Sequence, residues 1–87
     1  MLSIFFERWL YMYYILNFVN SHGKEVSMKF DDFTYFGCSD FVTCLRFSNS
    51  ADFNKIAHYI FPIDKVNYIE RVIVRDDQVI REKVKRF

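Results

Sequence analysis

The hydrophobic pattern changes character several times along the chain. From Leu2 to Val19 it is apolar on every side, broken by Glu7, Arg8 and Asn17. Trp9, Leu10, Tyr13 and Leu16 sit at helical spacing, while Phe5, Phe6, Tyr11, Met12, Tyr14 and Ile15 fill the other faces. This predicts an aromatic helix that is buried or lies at a membrane surface. The uncharged run 9–19 is too short to cross a bilayer, which takes about 20 residues. Asn20-Ser21-His22-Gly23 ends the element, with Gly23 suited to positive φ.

Met28–Phe36 is rich in Phe, Tyr and Thr and reads as a strand. Gly37-Cys38-Ser39-Asp40 reads as a turn. Phe41–Phe47 then alternates, with Phe41, Thr43, Leu45 and Phe47 on one face and Val42, Cys44 and Arg46 on the other. One register sets Phe36 opposite Phe41, Thr34 opposite Thr43, Asp31 opposite Arg46 and Phe30 opposite Phe47. Aromatic, Thr–Thr and opposite-charge pairs all favour it.

Residues 50–61 predict a helix. Ser48, Asn49 and Ser50 offer caps, Phe53, Ile56, Ala57 and Ile60 form one stripe, and Pro62 stops it. Its apolar face is expected to lie on a sheet through Phe53 and Ile60, with Asn54, Lys55, His58 and Tyr59 outside. Residues 66–87 predict a hairpin turning at Asp76-Asp77. Its pairs are Val74–Val79, Ile73–Ile80, Val72–Arg81, Arg71–Glu82, Glu70–Lys83 and Ile69–Val84. A helix over Ile80, Val84 and Phe87 is the rival reading. β-Branched Val72-Ile73-Val74 and the matched cross-strand pairs favour the hairpin. The expected fold is α+β, a small antiparallel sheet in ββαββ order over residues 28–87. One helix packs on it, and residues 1–27 add an aromatic helix.

Composition narrows the class. The chain has 87 residues, 52% of them hydrophobic and 21% aromatic, which is one domain and too apolar for disorder. Phe and Tyr are abundant while Gly and Pro are scarce, a usage that follows AT-rich codons and suits a low-GC bacterium, its phages or its mobile elements. Gly23-Lys24-Glu25-Val26 can also be encoded by a bacterial ribosome-binding sequence just ahead of the codon for Met28. Met28 is therefore an alternative start, with residues 1–27 as translated upstream sequence. No clearly positive start precedes the apolar stretch, so the expected location is cytoplasmic.

Candidate chemistry is sparse. Cys38 and Cys44 lack zinc-site spacing, and His22 and His58 do not complete one; both thiols are expected to be reduced. Pairing Cys38 or Cys44 with His58 as a nucleophile leaves no orienting third group. Asp31 and Asp32 are adjacent on a strand and point to opposite faces. No enzyme activity and no cofactor are expected. Charge is more informative. The net charge is +1, but residues 28–64 are net negative and 65–87 net positive. Arg75, Arg81, Lys83, Lys85 and Arg86 form a candidate basic face, with Arg81, Lys83 and Lys85 in one row. Tyr59, Tyr68 and Phe87 are candidate aromatic contacts. Such a face could touch phosphates, or could protect a strand edge from aggregation. Aromatic side chains beyond what a small core can bury point to an interface. The expected function is that of a non-enzymatic accessory protein binding a protein partner. The alternatives are a nucleic-acid-binding module using the basic hairpin and a membrane-associated protein anchored through residues 1–19.

Overall fold

In a computed structural model, residues 11–47 and 56–87 are described. They form seven strands: β1 (Tyr11–Val19), β2 (Glu25–Phe30), β3 (Asp32–Tyr35), β4 (Phe41–Phe47), β5 (Ile56–Pro62), β6 (Val66–Arg75) and β7 (Gln78–Arg86). A single 3₁₀ turn, Ile63–Lys65, links β5 to β6. Two antiparallel sheets result, one ordered β2-β1-β6-β7 and the other β3-β4-β5. The core lies between them. Leu16, Phe30, Val42, Cys44, Val66 and Ile69 are buried there, with Phe18, Phe33, Tyr59 and Phe61 packed around. The Phe30 ring centroid lies 5.3 Å from Tyr59 and 5.8 Å from Phe61, and Phe18 lies 4.9 Å from Phe61. These are ordinary stacking distances that lock the two sheets face to face.

The α+β expectation is overturned: no described residue lies in an α-helix. Residues 56–61, expected as the end of a helix, belong to strand β5; the cap residues, Phe53, Asn54 and Lys55 lie outside the described residues. The reason is local. A stripe at i, i+3, i+4 and i+7 in a short segment also fits a strand. Tyr59 and Phe61 both face the core, and that spacing of two is the one a strand satisfies. Ile60, expected to be buried, is 64% exposed.

The aromatic helix over residues 1–27 is also corrected, at least over the described residues from Tyr11 onward. Tyr11–Val19 is the inner strand β1, paired with β2 on one side and β6 on the other. Leu16 and Asn17 point to opposite faces, yet both are buried. A strand covered on both faces is apolar all round, the same composition a buried helix would show. Asn17 is accommodated by hydrogen bonds. The Asn67 side chain donates to its Oδ1 at 2.7 Å, and its own amide donates to Ser27 Oγ at 3.2 Å. These contacts tie three neighbouring strands together beside the irregularity that shifts the β1–β6 register at Asn17/Phe18. Asn20 builds the turn that follows. Its Oδ1 accepts from the amides of His22 and Lys24, and Gly23 takes a φ of 77°, so the expected chain reversal stands but joins two strands.

The strand expected over Met28–Phe36 is two strands in different sheets, parted at Asp31. Within β3 the expected register survives, with Thr34 facing Thr43, Phe33 facing Cys44 and Asp32 facing Leu45, but the expected Phe30–Phe47 pair is overturned, because Phe30 ends β2 and faces Tyr14. The C-terminal hairpin is present with Val74–Val79 through Glu70–Lys83 in the expected pairs, and Asp76 takes a φ of 57° in its turn. Past Glu70 a bulge intervenes, and Ile69 faces Lys85 in place of Val84.

Two measurements check this architecture. Leu16→Ala should destabilise the protein by about 2–5 kcal/mol, whereas Ile60→Ala should be nearly neutral to chemical denaturation. Reversed costs would restore the helix. A fragment of residues 28–87 lacks β1, which both β2 and β6 pair with, and should show no cooperative unfolding transition.

Candidate functional site

β5 and its neighbours present the most unusual surface. Side chains alternate across β4, so Val42 and Cys44 face the core while Phe41, Thr43, Leu45 and Phe47 face outward. The register sets Pro62 beside Phe41, Ile60 beside Thr43, His58 beside Leu45 and Ile56 beside Phe47. Phe36, one residue past β3, continues the same outward face. Phe36 is 67% exposed, Ile60 64% and Phe41 51%, and Phe47 and Ile56 are exposed as well. The outer face of the three-stranded sheet is therefore a broad apolar surface with Asp32 and Thr34 along one side. Large side chains clustered like this in water are unusual for a protein that works alone.

The expected basic face is differently arranged. Arg75 stands exposed at the β6–β7 turn and Arg86 at the end of β7. Arg81 lies 3.8 Å from Glu70, and Arg71 is hydrogen-bonded to Glu82, so two carboxylates on the hairpin are already matched. The Lys83 ammonium sits 4.5 Å from the Tyr68 ring centroid, on the face of the four-stranded sheet turned away from the core. The Lys85 ammonium sits 5.0 Å from the Tyr35 centroid and 5.6 Å from Phe87. Tyr35 belongs to the other sheet. The bulge beside Val84 thus turns Lys85 out of the row that Arg81 and Lys83 share. Of the expected aromatic contacts, Tyr68 and Phe87 lie under lysines. Tyr59 points inward, where Arg46 lies 5.3 Å from its centroid. These rings are occupied by cations of the chain itself.

A concave feature lies where β2 hands over to β3. Tyr11, Lys29, Phe30, Asp31, Arg46 and Phe47 line a pocket of about 380 Å³. Lys29 Nζ donates to the Tyr11 hydroxyl at 2.7 Å, and this hydrogen bond raises the lysine pKa. Arg46 donates to the Lys29 carbonyl at 2.8 Å. Both cations are thus employed in holding the crossing.

The thiols separate cleanly. Cys38 is exposed in the β3–β4 turn and Cys44 is buried, both free. Burial pushes the Cys44 thiol up to about 12. Cys44 faces the core, whereas His58 lies on the outward face, so no Cys44–His58 pair forms. His22 sits exposed in the β1–β2 turn. Asp31 makes the crossing and its carboxylate accepts from the Phe47 amide, while the Asp32 carboxylate accepts from the Phe33 amide. Among the described residues no group of three or more His, Cys, Asp or Glu side chains is placed to hold a metal ion. No helix among them is long and apolar enough to cross a membrane. The outer apolar face is the feature residue-by-residue reading missed. Its signal was the Phe41, Thr43, Leu45, Phe47 alternation, which showed a two-faced strand without showing which face stays wet.

The thiols supply a check. A thiol reagent should label Cys38 rapidly in the folded protein and Cys44 only on unfolding. The raised Cys44 pKa also fixes a sign. Below its ordinary value of 9.0 both states hold the proton and nothing changes. As pH rises from there towards 12 the unfolded thiol ionises first, so stability is progressively lost. Unfolding midpoints for the native chain and Cys44→Ala should converge over that range.

Compared with protein-family models, with curated proteins and with solved structures, the chain finds no match.

Proposed function

We propose that this protein is a non-enzymatic binding module that engages a protein partner through the outer face of the β3-β4-β5 sheet. The observation that carries the reading is the exposure of Phe36, Phe41 and Ile60 together on that face, extended by Phe47 and Ile56. Burying such side chains against a partner releases about 25 cal/mol for each Å² of apolar surface removed from water. Aromatic residues at the centre of such a patch are the ones that dominate binding energy. The charged hairpin β6–β7 lies in the other sheet and supports solubility in this reading. A nucleic-acid role would rest instead on Arg75, Arg81, Lys83, Lys85 and Arg86. It is the competing outcome of the same experiment.

Partner capture by the immobilised chain tests the reading, with two variants in parallel. Phe36→Ser with Phe41→Ser should abolish capture of the bound protein while leaving the circular dichroism spectrum unchanged. Charge reversal at Arg81, Lys83 and Lys85 should leave capture intact. Binding through the apolar face should also survive added salt. Binding through five phosphate contacts would weaken by roughly a few hundredfold between about 50 and 200 mM salt. Capture that ignores the double serine variant and collapses with charge reversal or salt would replace this function with nucleic-acid binding.

A further inference from the structure

A β-sheet ends in strands whose outward N–H and C=O groups pair with nothing in the sheet, and proteins usually guard such edges with charge. Three of the four edges here follow that rule. β2 carries Glu25 and Lys29. β3 is four residues long and carries Asp32. β7 carries Arg81, Glu82, Lys83, Lys85 and Arg86. β5, Ile-Ala-His-Tyr-Ile-Phe-Pro, has no formally charged side chain over its whole length. Among the described residues it pairs with β4 alone.

The phase of its backbone follows from one hydrogen bond. The Ile63 amide donates to the Asp40 carbonyl at 2.9 Å, extending the β4–β5 ladder by one step. Backbone groups alternate sides along a strand. Phe61, Tyr59 and Ala57 therefore also turn their N–H and C=O groups towards β4. Ile56, His58, Ile60 and Pro62 turn theirs away. Pro62, which has no N–H, occupies an outward position, the only kind at which a strand proline costs no ladder bond. Ile56, His58, Ile60 and Pro62 are all exposed.

We propose that two copies of this chain associate through their β5 edges, antiparallel about a two-fold axis, into one six-stranded sheet. The strand is complementary to itself. With Tyr59 opposite Tyr59 of the second copy, His58 faces Ile60 and Ile56 faces Pro62. The His58 and Ile60 amides each donate to the other's carbonyl across the axis. At each end Ile56 faces Pro62, which has no N–H and whose carbonyl already caps the 3₁₀ turn, so the ladder rests on the His58 and Ile60 bonds. Strand lengths match without overhang. No like charges meet within the strands, and an isologous contact of this kind closes on itself. The two outward apolar faces become continuous across the axis and stay open to a third protein. This association goes beyond the partner-binding reading and does not depend on it.

The purified full chain decides the matter by light scattering over a concentration series up to about 100 μM, with amide exchange followed by NMR. The native chain should reach dimer mass, and exchange at His58 and Ile60 should slow by tenfold or more as dimer forms. His58→Pro removes an outward N–H that β4 does not use, and His58→Lys puts a charge on the edge. Both should be monomeric with unchanged circular dichroism. Phe36→Ser with Phe41→Ser alters the face away from the edge and should remain dimeric. A native chain that stays monomeric throughout overturns the proposal. So does a dimer that survives both edge variants, or one lost only when the face is changed. Loss of partner capture with dimer mass retained would bear on the face alone, and the reverse on the edge alone.

Discussion

A single residue of chain, Asp31, carries the backbone from one sheet to the other, and the rest of the fold depends on how it is held. Its amide donates to the Leu45 carbonyl at 2.9 Å, and its carboxylate accepts from the Phe47 amide at 2.7 Å. Arg46 reaches back to the Lys29 carbonyl from the same strand. The crossing is thus fastened from both sides to β4. That fixes Phe30, the last residue of β2, between the sheets, where it is almost completely buried against Tyr59 and Phe61. If Asp31 continued a straight strand, Phe30 and Phe33 could not both serve one core, because residues three apart on a strand face opposite ways. The kink lets both do so. Two small sheets then share an interior that neither could enclose alone.

The same geometry creates the surplus. Only one face of the three-stranded sheet meets the four-stranded one, so every second residue of β3, β4 and β5 must face outward. In a protein that acts alone those positions would be polar. Thr34 and Thr43 follow that rule, but Phe36, Phe41, Phe47, Ile56 and Ile60 do not. The core does not use them, and the proposed partner surface rests on that surplus.

Reading the sequence worked where neighbouring strands leave marks on each other. The Thr34–Thr43 pair, the alternation of charge along β6 and β7, and the turn at Asp76-Asp77 each make one register better than its rivals, and those registers are present. The extra residue at Val84 was illegible, because a bulge depends on tertiary fit and not on pairing preference. Reading failed where a segment's partner is far away in sequence. β1 pairs with β6 across some fifty residues, and an inner strand covered on both faces carries no period to distinguish it from a buried helix. β5 failed in a different way. Its apolar residues were recognised, but a helix sends Phe53, Ile56 and Ile60 to one side, and a strand sends Ile56 and Ile60 outward and Tyr59 and Phe61 inward. That exchange of period reversed which residues were assigned to the core. It also hid the candidate site, since Ile60 seemed spent on packing. What remained visible was the excess of aromatic residues, which pointed to an interface without locating it.

The contrast between the two hairpin edges carries the last step. β7 is the edge of the larger sheet and is crowded with charge, some of it neutralised by Glu70 and Glu82 and some of it resting on Tyr68 and Tyr35. Such an edge resists addition of another strand, since a partner would have to displace those contacts and desolvate the cations. β5 offers neither obstacle. Its outward row ends in a proline, which has no N–H and whose carbonyl caps the 3₁₀ turn, so pairing stops there. Open-ended aggregation needs edges at both sides of the sheet. Here the opposite edge, β3, is short and acidic, and its chain is drawn directly into β2 by the crossing at Asp31. An uncharged edge on one side and a blocked one on the other favour a finite assembly over a growing one, so the exposed β5 strand can be tolerated.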